Sequence, residues 1–188
     1  MRILPWLLVL AALVTSHARN HAWRDELSIW SDTLAKSPRN HRAYYNLGRI
    51  HQFQGSAEQA RELYSAALAI KPDHVQSHVN LGMIYASLGL FRRAAEHYVT
   101  ALRIDPRCAE AYNNLGNAYD AMGNPGEALV HYKAAITLDP NYAEAHYNMG
   151  IVYEAEGSVK LAADEYRITL SLSPDHAAAR NRLQSLSW

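Results

Sequence analysis

Apolar side chains in residues 41–176 return at spacings of three and four, the rhythm of helices that bury one face. Tyr44, Leu47 and Ile50 make one such face, which ends near Phe53, and Ala60, Leu63, Tyr64, Ala67 and Leu68 make a second. Gly55 lies between the two, where a left-handed residue ends a helix without strain. Gly48 and Ala60 have almost no side chain, so two helices can approach closely there, and Pro72 stops the second. The whole pattern repeats with a step of 34 residues: Gly48, Gly82, Gly116 and Gly150; Gly55, Gly89, Gly123 and Gly157; Pro38, Pro72, Pro106, Pro140 and Pro174. It predicts an all-α array of four helix-turn-helix units, 41–74, 75–108, 109–142 and 143–176. Such a stack has no single deep core; its asset is a long exposed surface.

Both ends of the array are incomplete. Arg24–Lys36 reads as the second helix of an earlier unit, with Trp30 in the aromatic place and Pro38 as the stop, so 19–40 is a linker and half repeat. Ala177–Trp188 reads as one further helix, capping the stack. Leu183 and Leu186 would cover the last apolar face, Arg180, Arg182 and Gln184 would stay wet, and Trp188 is either a packing plug or disordered. Residues 3–16 are uncharged and rich in Leu, Val and Ala. That run is short for a bilayer helix, which needs roughly 20 residues, and it suits the core of a secretory signal cut after Ala18. Pro5 and Trp6 also fit the end of a membrane anchor, and a buried first helix is the third possibility, so 1–18 stands as a signal peptide or short anchor. The expected location of the repeats is outside the cytoplasm, periplasmic or luminal, with membrane contact only through residues 3–16. Positive charge is similar on both sides of that run (Arg2, then Arg19 and Arg24), so the charge bias does not decide an anchor's orientation and a cytoplasmic location is the less favoured alternative.

The unit resembles the tetratricopeptide repeat (TPR). Leu47-Gly48, Leu81-Gly82, Leu115-Gly116 and Met149-Gly150 supply its Leu-Gly pair. Tyr85, Tyr119 and Tyr153 follow three residues on, with His51 as the weak member. Ala60, Ala94, Ala128 and Ala162 are the small residues of the second helix, and Tyr64, Tyr98, Tyr132 and Tyr166 its aromatics. The resemblance implies a superhelical solenoid whose first helices line a concave wall. It also implies a non-catalytic scaffold that holds an extended peptide or a partner protein.

The groove-facing places implied by that resemblance are the second, fifth, sixth, ninth and twelfth of each unit. The sixth is Asn46, Asn80, Asn114 and Asn148. An amide both donates and accepts, so a row of four can hold peptide backbone without reading side chains, as in the similar ladder of O-linked N-acetylglucosamine transferase. The other possibility is an inter-repeat bond or simple copying. Around the row the places run from Arg42, Tyr45 and Arg49, past Val79 and Met83, to Glu110, Asn113, Asn117 and Asp120, then Glu144, Tyr147 and Glu154. The expected ligand is an extended segment with an acidic end near Arg42 and Arg49 and a basic end near the carboxylates. Charge of this kind sets orientation and on-rate more than affinity. No lysine stands at these places, so no chaperone-tail clamp is expected.

Composition removes other classes. Lys plus Arg and Asp plus Glu are both 18, a formal net charge of zero, against the clustered positive excess that nucleic acid requires. Cys108 is alone, which excludes an intrachain disulfide and thiolate metal sites. Ten histidines follow the repeat register rather than a ligand spacing: His78 and His146 stand where Tyr44 and Tyr112 stand, and His97 and His131 share a place on second helices. Neither a nucleophile elbow nor a phosphate loop occurs, so no enzyme activity, cofactor or metal is expected. Gly123-Asn124-Pro125-Gly126 reads as an interhelix turn. A second resemblance concerns Arg19–Asn40, through Arg19-Asn20, Trp23, Glu26, Trp30 and Pro38. It is similar to the stretch joining the last membrane helix to the TPR tail in glycosyltransferases related to the protein O-mannosyltransferases. It implies an alternative role as the accessory module of a membrane glycosyltransferase.

Overall fold

A computed structural model of the chain describes residues 25–186 and divides into two compact units, one ending at Pro72 and one beginning at Asp73. The described residues are helical, with no strand among them. In the first unit, α1 covers 25–36, α2 is His41–Phe53 and α3 is Ala57–Ile70. The second holds α4 (Val75–Ser87), α5 (Phe91–Ile104), α6 (Ala109–Ala121), α7 (Pro125–Leu138), α8 (Ala143–Ala155), α9 (Val159–Leu172) and α10 (Ala177–Ser185). First helices have 13 residues and second helices 14, each pair a hairpin of directly packed neighbours.

Each hairpin is turned by its glycine. Gly55, Gly89, Gly123 and Gly157 have φ between 73 and 78°, a region that penalises a Cβ. The residue after each glycine donates its N–H back into the helix just ended, Ser56 to His51 O at 2.8 Å and Asn124 to Tyr119 O at 2.9 Å. The glycine itself donates to the carbonyl of the next residue, Gly55 to Gln52 O at 3.0 Å and Gly123 to Asp120 O at 2.8 Å, so the last carbonyls are satisfied as in a Schellman cap. Pro125 departs from the expectation of a turn residue. It opens α7, where its missing N–H costs nothing because first-turn donors have no intrahelical partner.

The other glycine ladder has a different partner from the one its small size suggested. A Cβ at Gly48 would lie 2.7 Å from Cε1 of Tyr64, and the corresponding distances are 2.6 Å for Gly82 and Tyr98, 2.5 Å for Gly116 and Tyr132, and 2.6 Å for Gly150 and Tyr166. The space left by each glycine holds a tyrosine ring of the second helix. The four rings are buried, beside the buried alanines Ala60, Ala94, Ala128 and Ala162. Flat contact of a ring on bare backbone is why Leu-Gly and Tyr recur together: neither half works alone.

Inside the second unit, hairpins stack in order. Val79, Tyr98, Ala101, Leu115 and Ala118 share one apolar cluster; Tyr132, Met149 and Val152 share the next. The stack closes on α10, where Ala179 is buried against Tyr166, and Leu183 and Leu186 pack on the same cluster. Arg182 does not stay wet. It donates to Glu154 Oε2 at 3.1 Å. No described helix is long and apolar enough to cross a membrane. The hydrophobic segment 1–18, the first six residues of the linker match (19–24, with Arg19, Asn20 and Trp23) and Trp188 lie outside the described residues.

Candidate functional site

The sixth-place asparagines share a register but not a role. In the first unit, Asn46 donates Nδ2 to Arg42 O on its own helix at 2.8 Å, and Arg49 donates to Asn46 Oδ1 at 3.4 Å. Tyr45 lies 5.9 Å from the Tyr64 ring, whose hydroxyl donates to Gln52 Oε1 at 2.6 Å. Arg42 and Arg49 are exposed on this face.

In the second unit the residue preceding the ladder decides each amide's fate. Asn148 donates Nδ2 to Asn113 Oδ1 at 3.0 Å, from one first helix to the first helix before it. Asn113 is only 4% exposed, so the fifth-place residue acts inside the wall. Buried polar atoms need partners, and this pair satisfies each other. The same link appears one step later: Arg182, the sixth residue of α10, hydrogen-bonds Tyr147 and Glu154. One step earlier the fifth place is Val79, 2% exposed. Asn114 has no polar side chain to reach there; its Oδ1 takes only a long bond, 3.5 Å, from neighbouring Asn113. Asn80 is half-buried on α4 and hydrogen-bonding or other polar contacts engage it.

Asn114 borders a pocket of about 200 Å³ with Met83, Ala86, Phe91, Tyr98 and Asn117. Its walls come from α4, α5 and α6. Asn117 is exposed and its Oδ1 accepts from the Tyr132 hydroxyl at 2.8 Å, which leaves its NH2 pointing away from that bond. Burial raises the Tyr98 hydroxyl far above the ordinary phenol range, with Glu110 adding to the effect; Tyr98 is therefore a neutral group at any working pH. The expectation of an asparagine row thus divides: Asn114 and Asn117 face open space together, while Asn113 and Asn148 are joined to each other.

The carboxylates divide in the same way. Glu154 accepts from Tyr166 at 2.6 Å and from Arg182, and Glu144 lies 3.6 Å from His176 Nε2. Tyr147 packs against His176 with ring centroids 4.5 Å apart. The fourth unit's acidic end and Tyr147 are therefore engaged by α10 and the residue before it. Asp120 and Glu110, at the equivalent places one repeat earlier, are exposed and carry no ion pair among the described residues. Sequence reasoning missed Phe91 and Tyr98 as pocket walls, and missed Arg182 as the continuation of the ladder; its distance of 34 residues from Asn148 was the available signal.

Several histidines sit at one repeated contact. The fourth place of a first helix faces the seventh of its second helix, which brings His78 Nδ1 to 3.1 Å from His97 Nδ1 and His146 Nδ1 to 2.7 Å from Glu165 Oε2. His131 stacks on Tyr112 and Tyr119, with centroids 6.1 and 5.2 Å away. Burial, then the neighbouring His78, lowers His97; burial lowers His131. Burial, ahead of the nearby carboxylates, pushes the Cys108 thiol up, away from a reactive thiolate. Among the described residues no cluster of three or more His, Cys, Asp or Glu is arranged to hold a metal.

Three family models, each described as tetratricopeptide repeat, match residues 39–107, 109–142 and 131–162. The chain is built from tetratricopeptide repeats, as its helix pairs and glycine–tyrosine contacts require. Its fold is similar to that of MamA, with 20% identity, a TM-score of 0.72, and coverage of 87% of this chain and 95% of MamA. It is also similar to TTC0263, a thermophilic TPR protein in Thermus thermophilus, at 22% identity and TM-score 0.74, covering 93% of this chain and 95% of that one. YrrB, described as a TPR protein with an unusual peptide-binding site, aligns at 22% identity and TM-score 0.70 over 93% of this chain and 88% of its own. A search of curated proteins found no sequence match.

Proposed function

We propose that the chain is a non-catalytic scaffold that binds an extended peptide segment of a partner protein on the first helices of its second unit. The observation that carries this is the placement of two amide side chains, Asn114 and Asn117, beside an apolar pocket about 200 Å³ in volume. An amide offers the donor and acceptor that peptide backbone needs, and an apolar recess with few polar groups is the usual form of a recognition site. The fold likeness to YrrB, described as having a peptide-binding site, supports the class of ligand. Asn46, Arg42, Arg49 and Tyr45 form a separate polar face on the first unit and remain candidates there, as do Asn80 and Tyr147 at their own places.

An array of unrelated nonapeptides probed with the full chain tests the proposal. Binding above that of the heat-unfolded chain is expected; uniform failure to bind would remove it. We further propose, from the uncharged run at 3–16, that the repeats work outside the cytoplasm. Amino-terminal sequencing of the chain recovered from its native host checks that point, with a start at Arg19 expected for a cleaved signal. The match at Arg19–Asn40 favours a second reading, an accessory module of a membrane glycosyltransferase; co-purification with a polytopic membrane protein would support it over a free scaffold.

A further inference from the structure

The junctions of a copied array are expected to be alike, yet one of those inside the second unit is left open. Where α8 follows α6, the sixth-place amide is consumed by Asn113, and where α10 follows α8, Arg182 is consumed by Tyr147 and Glu154. Where α6 follows α4, the fifth place is Val79 and the twelfth is Ala86. Neither can bond to Asn114, and the small Ala86 leaves the recess beside Met83, Phe91 and Tyr98. The loss of polar partners and the gain of a pocket therefore come from the same substitutions of one repeat.

From this we infer that the α4–α6 junction is a side-chain-specific subsite for a peptide carrying an aliphatic residue with Lys or Arg two positions away. The inference rests on the peptide-binding reading above and adds the sequence it selects. Apolar cavities of about 150 Å³ hold a benzene ring in other proteins, so a recess of about 200 Å³ has room for a leucine or isoleucine side chain. Asn114 and Asn117 are one helical turn apart on α6, about 4.5 Å along the axis, and reach successive backbone groups of the same ligand. Residues i and i+2 of an extended chain share a face, roughly 6.5–7 Å apart. That spacing carries a cation from the pocket toward Asp120, three residues beyond Asn117. Asp120 is exposed and has no cation of its own among the described residues, whereas its counterpart Glu154 is held by Arg182 at 3.1 Å. The chain supplies an anion at this place and no partner for it, which is the complementarity the ligand provides.

The test uses the full chain and fluorescein-labelled nonapeptides of the form Gly-Ser-Gly-Ser-Leu-Ser-Lys-Ser-Gly, with Asp or Trp replacing Leu and Glu replacing Lys. Fluorescence polarisation is read for wild type, Asn114→Ala, Ala86→Leu and Asn148→Ala, each checked for unchanged helicity. Expected results are a preference of fivefold or more for Leu and Lys over the replacements, and a loss of fivefold or more with Asn114→Ala. With Ala86→Leu, which fills the recess, the preference passes to the same peptide carrying Ala in place of Leu. Asn148→Ala should change affinity by less than twofold. If peptides bind without a side-chain preference, or Asn114→Ala and Asn148→Ala behave alike, the subsite is wrong while peptide binding stands. If no peptide binds at all, both the subsite and the wider reading fail.

Discussion

The junction of α4 with α6 and that of α6 with α8 are built from the same register and end differently. Their apolar layers match: Leu115 and Met149 hold the seventh place, Ala118 and Val152 the tenth, and each glycine receives a tyrosine ring. Their polar layers do not. One has Val79 opposite Asn114, the other Asn113 bonded to Asn148 at 3.0 Å. The difference teaches that a residue repeated in every unit of an array takes its role from the unit before it. Asparagine at the sixth place seals one junction and is left open at the next.

The largest effects should come from the layer the junctions share. Gly82→Ala and Gly150→Ala each bring a methyl within 2.6 Å of a buried tyrosine ring. Overpacking of this kind costs about 1–3 kcal/mol, so thermal melts of the two variants should fall together. Only Gly82→Ala displaces Tyr98, and only it should alter peptide binding. Equal loss of binding in both variants would argue that the pocket has no special part.

Exchanging the polar layers comes next. Asn113→Val makes the α6–α8 junction resemble its neighbour and leaves Asn148 without its acceptor, at a cost of about 1–2 kcal/mol in denaturant unfolding. Val79→Asn does the reverse. It offers Asn114 a partner inside the wall, and peptide affinity should drop while stability falls by a similar small amount. Peptide affinity unchanged by Val79→Asn would separate Asn114 from binding.

Smaller still is the contrast in the histidine pairs. Burial and His78 lower His97, and burial lowers His131, from an ordinary value of 6.5. The unfolded chain then binds protons more readily, so the stability these residues contribute is complete above about pH 6.5 and is lost as pH falls through their lowered folded values. Melting temperature should decline between pH 7 and pH 5, and hydrogen exchange should show the loosening in α4–α7 first. His97→Leu, which copies Leu63 at the same place, should flatten part of that slope; an unchanged slope would point to other groups.

Periodicity made the helices, the turns and the buried alanines legible, because each follows from spacing alone. Gly55 could be placed at a left-handed turn from its ladder, and the structure puts it at φ 78°. The partner of Gly48 was not legible as Tyr64, since a missing side chain does not say what fills the space. Pro125 was read with the turn because its neighbours are turn residues; its position at the start of α7 depends on where the helix begins. The site was half legible. Asn114 and Asn117 stood out by register, but the bond from Asn148 to Asn113 joins places 35 residues apart. Only stacking reveals that contact. The engagement of Glu144 and Glu154 by His176 and Arg182 was hidden for the same reason, so the acidic end of the expected gradient is weaker than a charge count implies.

The most direct measurement is hydrogen exchange of the asparagine side-chain amides in the 15N-labelled full chain, followed by NMR before and after addition of the Leu-x-Lys peptide. The account predicts slow exchange at Asn148, fast exchange at Asn114 and Asn117, and peptide-induced shifts at the latter two. Equal exchange at Asn114 and Asn148, with no selective shift on adding peptide, would contradict it.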